Sequence, residues 1–348
     1  MMSKLSEKFP KGDKMSFVDW SMQRGGRLFP ITFSSHLIQG RSFMNPSILV
    51  LSANNALLVL RSGDYRYLRP TNHLKSLTST GAIQYLYFDK NGTTEPLLIS
   101  KVSLKVSEGS RVVPIKVTQQ FQVELQIDRN LRASTIEDLR ISRVDDLIVM
   151  LGNIELSSGE RRPVLLTSEL PKQDQEKIRL QCEVVIDYGG LQQVEKNWVP
   201  IESERDKFVR FPFPVQLSSR NKLLSKEKLS FEMFQSNCES MTGLLGSTPL
   251  ARFREGYLAV VHSKTLGSRK NNHRYWHRCL YYDKNFRVEK VSQPFSFLGY
   301  ETEFCTGLSI YKNRAYFSFC CNDGLNFILV VDSLKIFSKY LKAISTQK

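Results

Sequence analysis

Histidine and cysteine are scarce in this chain and badly spaced for metal chemistry. Its 348 residues hold five histidines and six cysteines, with no CxxC pair and no His/Cys spacing of the zinc-ribbon kind. Cys182, Cys238, Cys279, Cys305, Cys320 and Cys321 fall partly inside strand-like runs such as AYFSFCCN, where a cysteine behaves as a small apolar residue. They read as free thiols of a reducing compartment, which makes the cytoplasm the expected location. No stretch approaches the roughly 18 uninterrupted apolar residues of a membrane-spanning helix. The opening MMSKLSEKFPKGDKMS has no apolar core behind its lysines, which argues against a secretory signal or anchor. Residues 1–30 are expected to be an N-terminal leader, with residues 31–348 a single domain.

Several catalytic signatures are missing as well. There is no GxxxxGK[ST] phosphate loop, no GxGxxG fingerprint, no HExxH helix and no G-x-S-x-G elbow. Nucleotide-binding P-loop, Rossmann, zincin and α/β-hydrolase chemistries are thereby disfavoured. No metal or other cofactor is required, and the pair Asp145-Asp146 reads as turn residues. Acidic side chains are outnumbered, 34 Asp and Glu against 49 Lys and Arg, for a formal charge of +15. Such a balance suits an anionic partner. Basic segments such as SRNKLLSKEKLS and SRKNNHRYWHR form neither an RNP motif nor a helix-turn-helix, so nucleic acid is not the expected partner. A small anionic substrate fits the charge at least as well.

What is present is strand alternation broken by turns. NPSILVLSANNALLVLRS places Ser52-Ala53-Asn54-Asn55 between two apolar runs, and IQYLYFDKNGTTEPLLIS turns at Asp89-Lys90-Asn91-Gly92. EDLRISRVDDLIVMLGN, TPLARFREGYLAVVHS, RCLYYDKNFRVEKVS and GLSIYKNRAYFSFCCN repeat the layout. Helical spacing is confined to the end, where Asp332 or Ser333 would cap a helix carrying Leu334, Phe337, Leu341 and Ile344. The missing helices between strands exclude a parallel α/β fold. The spacing of hairpins fits four-stranded blades, so the expected fold is all-β, a five-bladed β-propeller with a short C-terminal helix. A two-sheet sandwich is the alternative.

A polar cluster precedes each hairpin set: Asn45-Pro46-Ser47, Glu137-Asp138-Leu139-Arg140, Lys196-Asn197-Trp198, Gly246-Ser247-Thr248 and Glu303-Phe304-Cys305-Thr306-Gly307. With these clusters the sequence resembles the five-bladed propellers of carbohydrate enzymes. Within that group it is most similar to the β-mannoside phosphorylases and related mannosyltransferases of glycoside hydrolase family 130 and its transferase cousins. The segments that carry the resemblance are NPSIL with Arg61, EDLRI with Asp145-Asp146, KNWVP, GYLAVVHS, RYWHRCLYYD and EFCTGLSIYKNRAYFSFCCNDG, across residues 30 to 331.

The resemblance implies roles. In the phosphorylases the aspartate of an E-D-P-R motif is the general acid, and the matching residue here is Asp138. A carboxyl on an inner strand beside Glu137 and Glu303 would have its ionised form disfavoured, as a proton donor requires. Leu139 stands where the family pattern has proline. Glu303 is the candidate second carboxylate. Phosphate would be held by Lys196, His262, His277, Arg278 and Arg61. Sugar hydroxyls and ring faces would meet Asn45, Arg140, Asn197, Trp198 and Asp323, with Tyr275, Trp276 and Asn322 as further candidates. The implied activity transfers a hexosyl group, most naturally mannosyl, to phosphate or from an activated donor to a glycan. Two rivals stand beside it. One is a glycan-binding or scaffolding propeller without turnover, which the missing proline favours. The other is a furanoside hydrolase, which would need three convergent carboxylates.

Overall fold

Runs such as ILVL, ALLVL and LIVML are apolar at every position, more than a strand with one wet face needs. In the computed structural model of the chain both faces of these strands are covered. The structure describes residues 15–38, 42–63, 65–68, 84–87, 97–105, 110–126, 133–156, 161–172, 175–185, 197–210, 216–219, 232–233, 243–266, 273–322, 324–334 and 341–343. The Asp89–Gly92 turn lies outside these residues.

Chain order is as follows. A short helix α1 (Phe17–Met22) leads into β1 (Arg27–Phe33) and a helical turn α2 (Ser35–Ile38). Blade I is β2 (Ser42–Ser52), β3 (Asn55–Gly63) and β6 (Leu97–Ser103), with a separate hairpin of β4 (Tyr65–Leu68) and β5 (Gln84–Tyr87). Two short strands follow, β7 (Ile115–Val117) and β8 (Gln122–Gln126). Blade II is β9 (Ala133–Val144), β10 (Leu147–Leu156), β11 (Arg161–Glu169) and β12 (Lys177–Val185). Blade III is β13 (Val199–Ile201), β14 (Glu204–Arg210), β15 (Gln216–Ser219) and β16 (Glu232–Met233). Blade IV starts with β17 (Leu245–Gly246) and β18 (Ala251–Phe253), then β19 (Gly256–Leu266), β20 (His273–Tyr282) and β21 (Val288–Ser292). Blade V is β22 (Glu303–Tyr311), β23 (Arg314–Cys321) and β24 (Leu325–Val331), and β25 (Leu341–Ala343) returns to the edge of blade IV.

Strand alternation explains the apolar runs. In β3, Ala56, Leu58 and Leu60 join the core shared with blade V, while Leu57 and Val59 join the core shared with blade II. In β10, Ile148 and Met150 face blade I, and Val149 and Leu151 face blade III. In β19, Leu258 and Val260 face blade V, and Tyr257, Ala259 and Val261 face blade III. Five apolar clusters thus fill five interfaces between neighbouring blades and close the ring. The chain is a five-bladed propeller, and the sandwich alternative does not hold, because each sheet is separate and packs against two others.

Two boundaries differ from the sequence expectation. Residues 1–30 are not all leader: β1 pairs antiparallel with β24 as the fourth strand of blade V, and Phe17 is buried among Phe295, Phe297 and Phe317. Alternating apolar residues in RLFPITF supply that strand. At the other end Leu334 is helical and buried, but Leu341–Ala343 is extended along β21. Leu341 therefore belongs to a strand and not to the expected helix, because backbone pairing with a sheet edge takes that residue; Phe337 and Ile344 lie outside the described residues.

Candidate active site at the leading ends of the inner strands

Three inner strands open with an irregularity. In β2 the register against β3 slips between Met44 and Ser47, in β9 it slips opposite Leu151 and Asn153, and in β22 it slips between Cys305 and Gly307. Asn45-Pro46 stand opposite Leu60, Asp138-Leu139 opposite Gly152, and Thr306 has no counterpart between Ser318 and Phe319, one extra residue in each strand. Asn45 and Asp138 take left-handed backbone angles, φ 52° and 51°, and Asn197 ahead of β13 does the same at φ 70°. Asn and Asp tolerate this region better than most residues. A bulge re-aims a side chain out of the sheet's alternation, which is how polar residues leave these strands without entering the cores.

Local packing holds the bulges in place. Gly152 lies opposite Asp138-Leu139, where an added Cβ would sit 2.7 Å from the Glu137 carbonyl and 2.6 Å from Leu139 Cδ2. Leu139, where the resembled pattern has proline, is buried in the core between blades I and II. Thr306 Oγ1 donates to the Pro46 carbonyl at 2.8 Å, and Ser318 Oγ donates to the same oxygen. Ser47 Oγ donates to the Thr306 carbonyl at 3.2 Å and accepts from Ile141 N–H at 3.0 Å, so one hydroxyl ties blades V, I and II.

Around Asp138 the polar groups converge. Asn45 Nδ2 donates to Asp138 Oδ1 at 2.7 Å, and Asn45 Oδ1 is a buried acceptor without a hydrogen-bond partner. The Arg61 guanidinium is 3.3 Å from Glu137 Oε2 and 3.8 Å from Asp138 Oδ1. Asp138 keeps 15% of its side chain exposed against 5% for Glu137, which makes Asp138 the reachable carboxylate. Arg140 is buried: its Nε donates to the Ser247 carbonyl at 2.7 Å, Nη1 to the Asp138 carbonyl at 2.8 Å and Nη2 to Asn197 Oδ1 at 3.4 Å. Burial lowers its pKa to about 10, partly opposed by Asp138, so it stays cationic at neutral pH. Ser247 Oγ and His262 Nδ1 share a hydrogen bond of 2.7 Å. Blades I to IV thus contribute to one connected network, and blade V holds its floor.

His262 is buried, and burial first, then His277, Lys264 and Arg140, keep its pKa well below the ordinary histidine value. Its ring packs against Phe304 and Tyr275 at 5.0 and 5.6 Å, and Lys264 Nζ lies 5.2 Å from the Tyr275 ring. Lys264, Tyr275 and Phe304 flank the network on blades IV and V. Lys264 is not among the residues the sequence points to; the strand register that sets it opposite Tyr275 is the missing signal.

Other expected site residues are placed elsewhere. Glu303 is buried, and its two oxygens accept backbone N–H groups of Phe297 (2.6 Å), Leu298 (2.8 Å) and Tyr300 (2.9 Å). Burial raises its pKa while those amides pull it down. It anchors the 297–300 loop and is not a free second carboxylate. Trp198 is 2% exposed and packs with Val144, Leu151 and Phe208 between blades II and III, so it has no face for a sugar ring. His277 is fully buried against Phe295 and Phe297 with neither ring nitrogen hydrogen-bonded, and burial pushes its pKa to about 3. It cannot present a cation to phosphate. Arg278 Nη1 donates to the Ser292 carbonyl at 3.3 Å, toward the outer strand β21. Lys196 and Asp323 lie outside the described residues. Among the described residues no group of three or more His, Cys, Asp or Glu could hold a metal ion.

No protein-family model and no curated protein matches the sequence. Solved structures do match in fold. A β-1,2-mannobiose phosphorylase from Listeria innocua aligns over 87% of this chain and 93% of its own, at 13% identity and TM-score 0.50. A glycosyl hydrolase from Bacteroides ovatus aligns over 83% and 84%, at 13% identity and TM-score 0.52. A glycoside hydrolase family 130 protein, from a study of hydrolases that target β-1,2 mannosidic linkages in Candida mannan, aligns over 83% and 84%, at 13% identity and TM-score 0.50. At this identity the likeness is one of fold: the chain is built as a propeller like that of the family 130 mannoside phosphorylases and hydrolases.

Proposed function

We propose that the protein is a carbohydrate-active enzyme that transfers a hexosyl group, mannosyl in the first instance, with Asp138 as proton donor. The observation that carries this reading is the setting of Asp138. Its carboxylate is the accessible one of an adjacent pair, is oriented by Asn45 from the neighbouring blade, and lies 3.8 Å from the Arg61 guanidinium. The likeness of fold to mannoside enzymes supports the choice of sugar.

The cations do not separate phosphate from a glycan as acceptor, because an activated sugar donor brings phosphate to the same site. Arg61 lies against two carboxylates, Arg140 is engaged by carbonyl oxygens, and burial keeps His262 and His277 neutral. Phosphorolysis and transfer from an activated sugar donor therefore make the same demand on the site, and turnover with each donor separates them. A second reading, glycan binding without turnover, is favoured by Glu303, whose carboxylate is taken up by backbone amides.

The test incubates the protein with mannose 1-phosphate and with GDP-mannose, each with oligosaccharide acceptors, beside an Asp138→Asn variant. Product is expected from the intact protein and should fall at least about 100-fold in the variant, the scale of general-acid catalysis. Undiminished turnover in the variant removes Asp138 as the acid. Saturable glycan binding with no turnover in either protein supports the second reading.

A further inference from the structure

The turns that close the inner strands β18 and β22 of blades IV and V lie at the opposite end of the molecule from Asp138. β22 begins at Glu303, near the Thr306–Pro46 contact, and ends at Tyr311, where Lys312-Asn313 turn into β23. In blade IV the pair Phe253 and Gly256 encloses the turn Arg254-Glu255. Between the two tips lies a cavity of about 530 Å³. Arg252, Arg254 and Lys312 bring cations to its wall, Asn313 an amide, and Phe253, Ile310 and Leu334 an apolar surface. No acidic side chain lines it among the described residues.

Two of these cations form no ion pair among the described residues, although Glu255 follows Arg254 in the turn and acts with it on Tyr281. Arg254 lies over the Phe253 ring at 5.2 Å and Lys312 over the Tyr311 ring at 5.6 Å, and neither has an acidic partner among the described residues. Arg252 turns instead toward the Tyr257 hydroxyl, 3.0 Å away. Arg254 and Lys312 also occupy left-handed backbone, φ 56° and 54°. Glycine or asparagine would fill such turn positions with less strain.

We propose that this groove binds an organic phosphate, its phosphate bridging Arg254 and Lys312 and its carbon body resting on Ile310, the partly exposed member of the apolar wall. Guanidinium and ammonium groups are the usual phosphate ligands, and the cavity is in the size range of small-molecule sites. The apolar wall would distinguish such a ligand from inorganic phosphate. The site is independent of Asp138 and of the proposed reaction.

The test titrates the full chain with inorganic phosphate, a hexose 6-phosphate and a nucleoside monophosphate by calorimetry. At least one organic phosphate should bind about tenfold or more tighter than inorganic phosphate. That binding should weaken at least about tenfold in Arg254→Gly/Lys312→Gly, whose glycines suit the local backbone, and persist in Asp138→Asn. Whichever organic arm binds tighter identifies the body the groove accepts. Equal affinity for inorganic phosphate, no saturation by about 10 mM, or no loss in the double-glycine variant overturns the proposal.

Discussion

Asp138 and Glu303 are both carboxylates near the leading ends of inner strands, and their neighbours set them apart. Asp138 meets side chains of another blade and keeps an accessible edge, whereas Glu303 accepts three backbone N–H groups of its own loop. Replacing Glu303 by Gln puts an NH2 group against amides that need an acceptor. Glu303→Gln should cost about 1–3 kcal/mol in urea unfolding, while changing turnover far less than Asp138→Asn does; equal loss of turnover in both would return Glu303 to the chemistry. His277 gives a second residue-scale expectation. Its folded pKa is about 3 against 6.5 when unfolded, so above pH 6.5 both states are neutral and pH has no effect through this ring. Below 6.5 the unfolded chain takes up a proton that the folded one refuses, and stability falls by about 1.4 kcal/mol per pH unit. A His277→Phe variant should show a shallower loss of urea midpoint between pH 6.5 and 4.5, and identical slopes in the two proteins would contradict the assignment.

At the scale of elements, the bulges and a strap decide how the blades meet. Gly152 leaves room for the Asp138-Leu139 bulge, with Glu137 O and Leu139 Cδ2 inside 3 Å of where a Cβ would stand. Gly152→Ala should destabilise by about 1–3 kcal/mol and disturb Asp138, visible as a lower melting temperature together with reduced turnover. Residues 110–126 run outside blade I. β7 extends blade V parallel to β1, β8 extends blade II parallel to β12, and between them Phe121 N–H donates to the Ile99 carbonyl of β6 at 2.8 Å. Phe121 packs into the core between blades I and II. Phe121→Ala should therefore cost about 3–5 kcal/mol, measured by denaturant unfolding; a change under 1 kcal/mol would show the strap to be dispensable. The hairpins themselves were legible, since Ala53-Asn54 and Asp145-Asp146 form the turns their residue types suggest. The register shifts were not, because a bulge depends on what the partner strand places opposite.

For the whole molecule, closure of the ring is the controlling event. β1 comes from the start of the described chain and pairs with β24, whose partners lie about three hundred residues away, as in Leu28 opposite Leu329. A chain beginning at Ser34 would lack the strand between β24 and β7 and leave the core of Phe29 and Ile31 empty. Loss of the cooperative thermal transition is expected for that truncation, and a sharp transition at the full-length temperature would refute this account of closure. By itself the sequence determined the all-β class, the hairpins and the set of polar clusters, because turn chemistry and strand periodicity are local. It did not determine which clusters face the ligand. Asn45 meets Asp138 across 93 residues and Arg140 meets the Ser247 carbonyl across 107, while Trp198 and His277, equally suggestive in the sequence, are sealed into cores. Tertiary structure alone decided that division, because whether a polar or aromatic side chain faces a channel or a neighbouring blade depends on packing between strands that the chain brings together only when the ring closes.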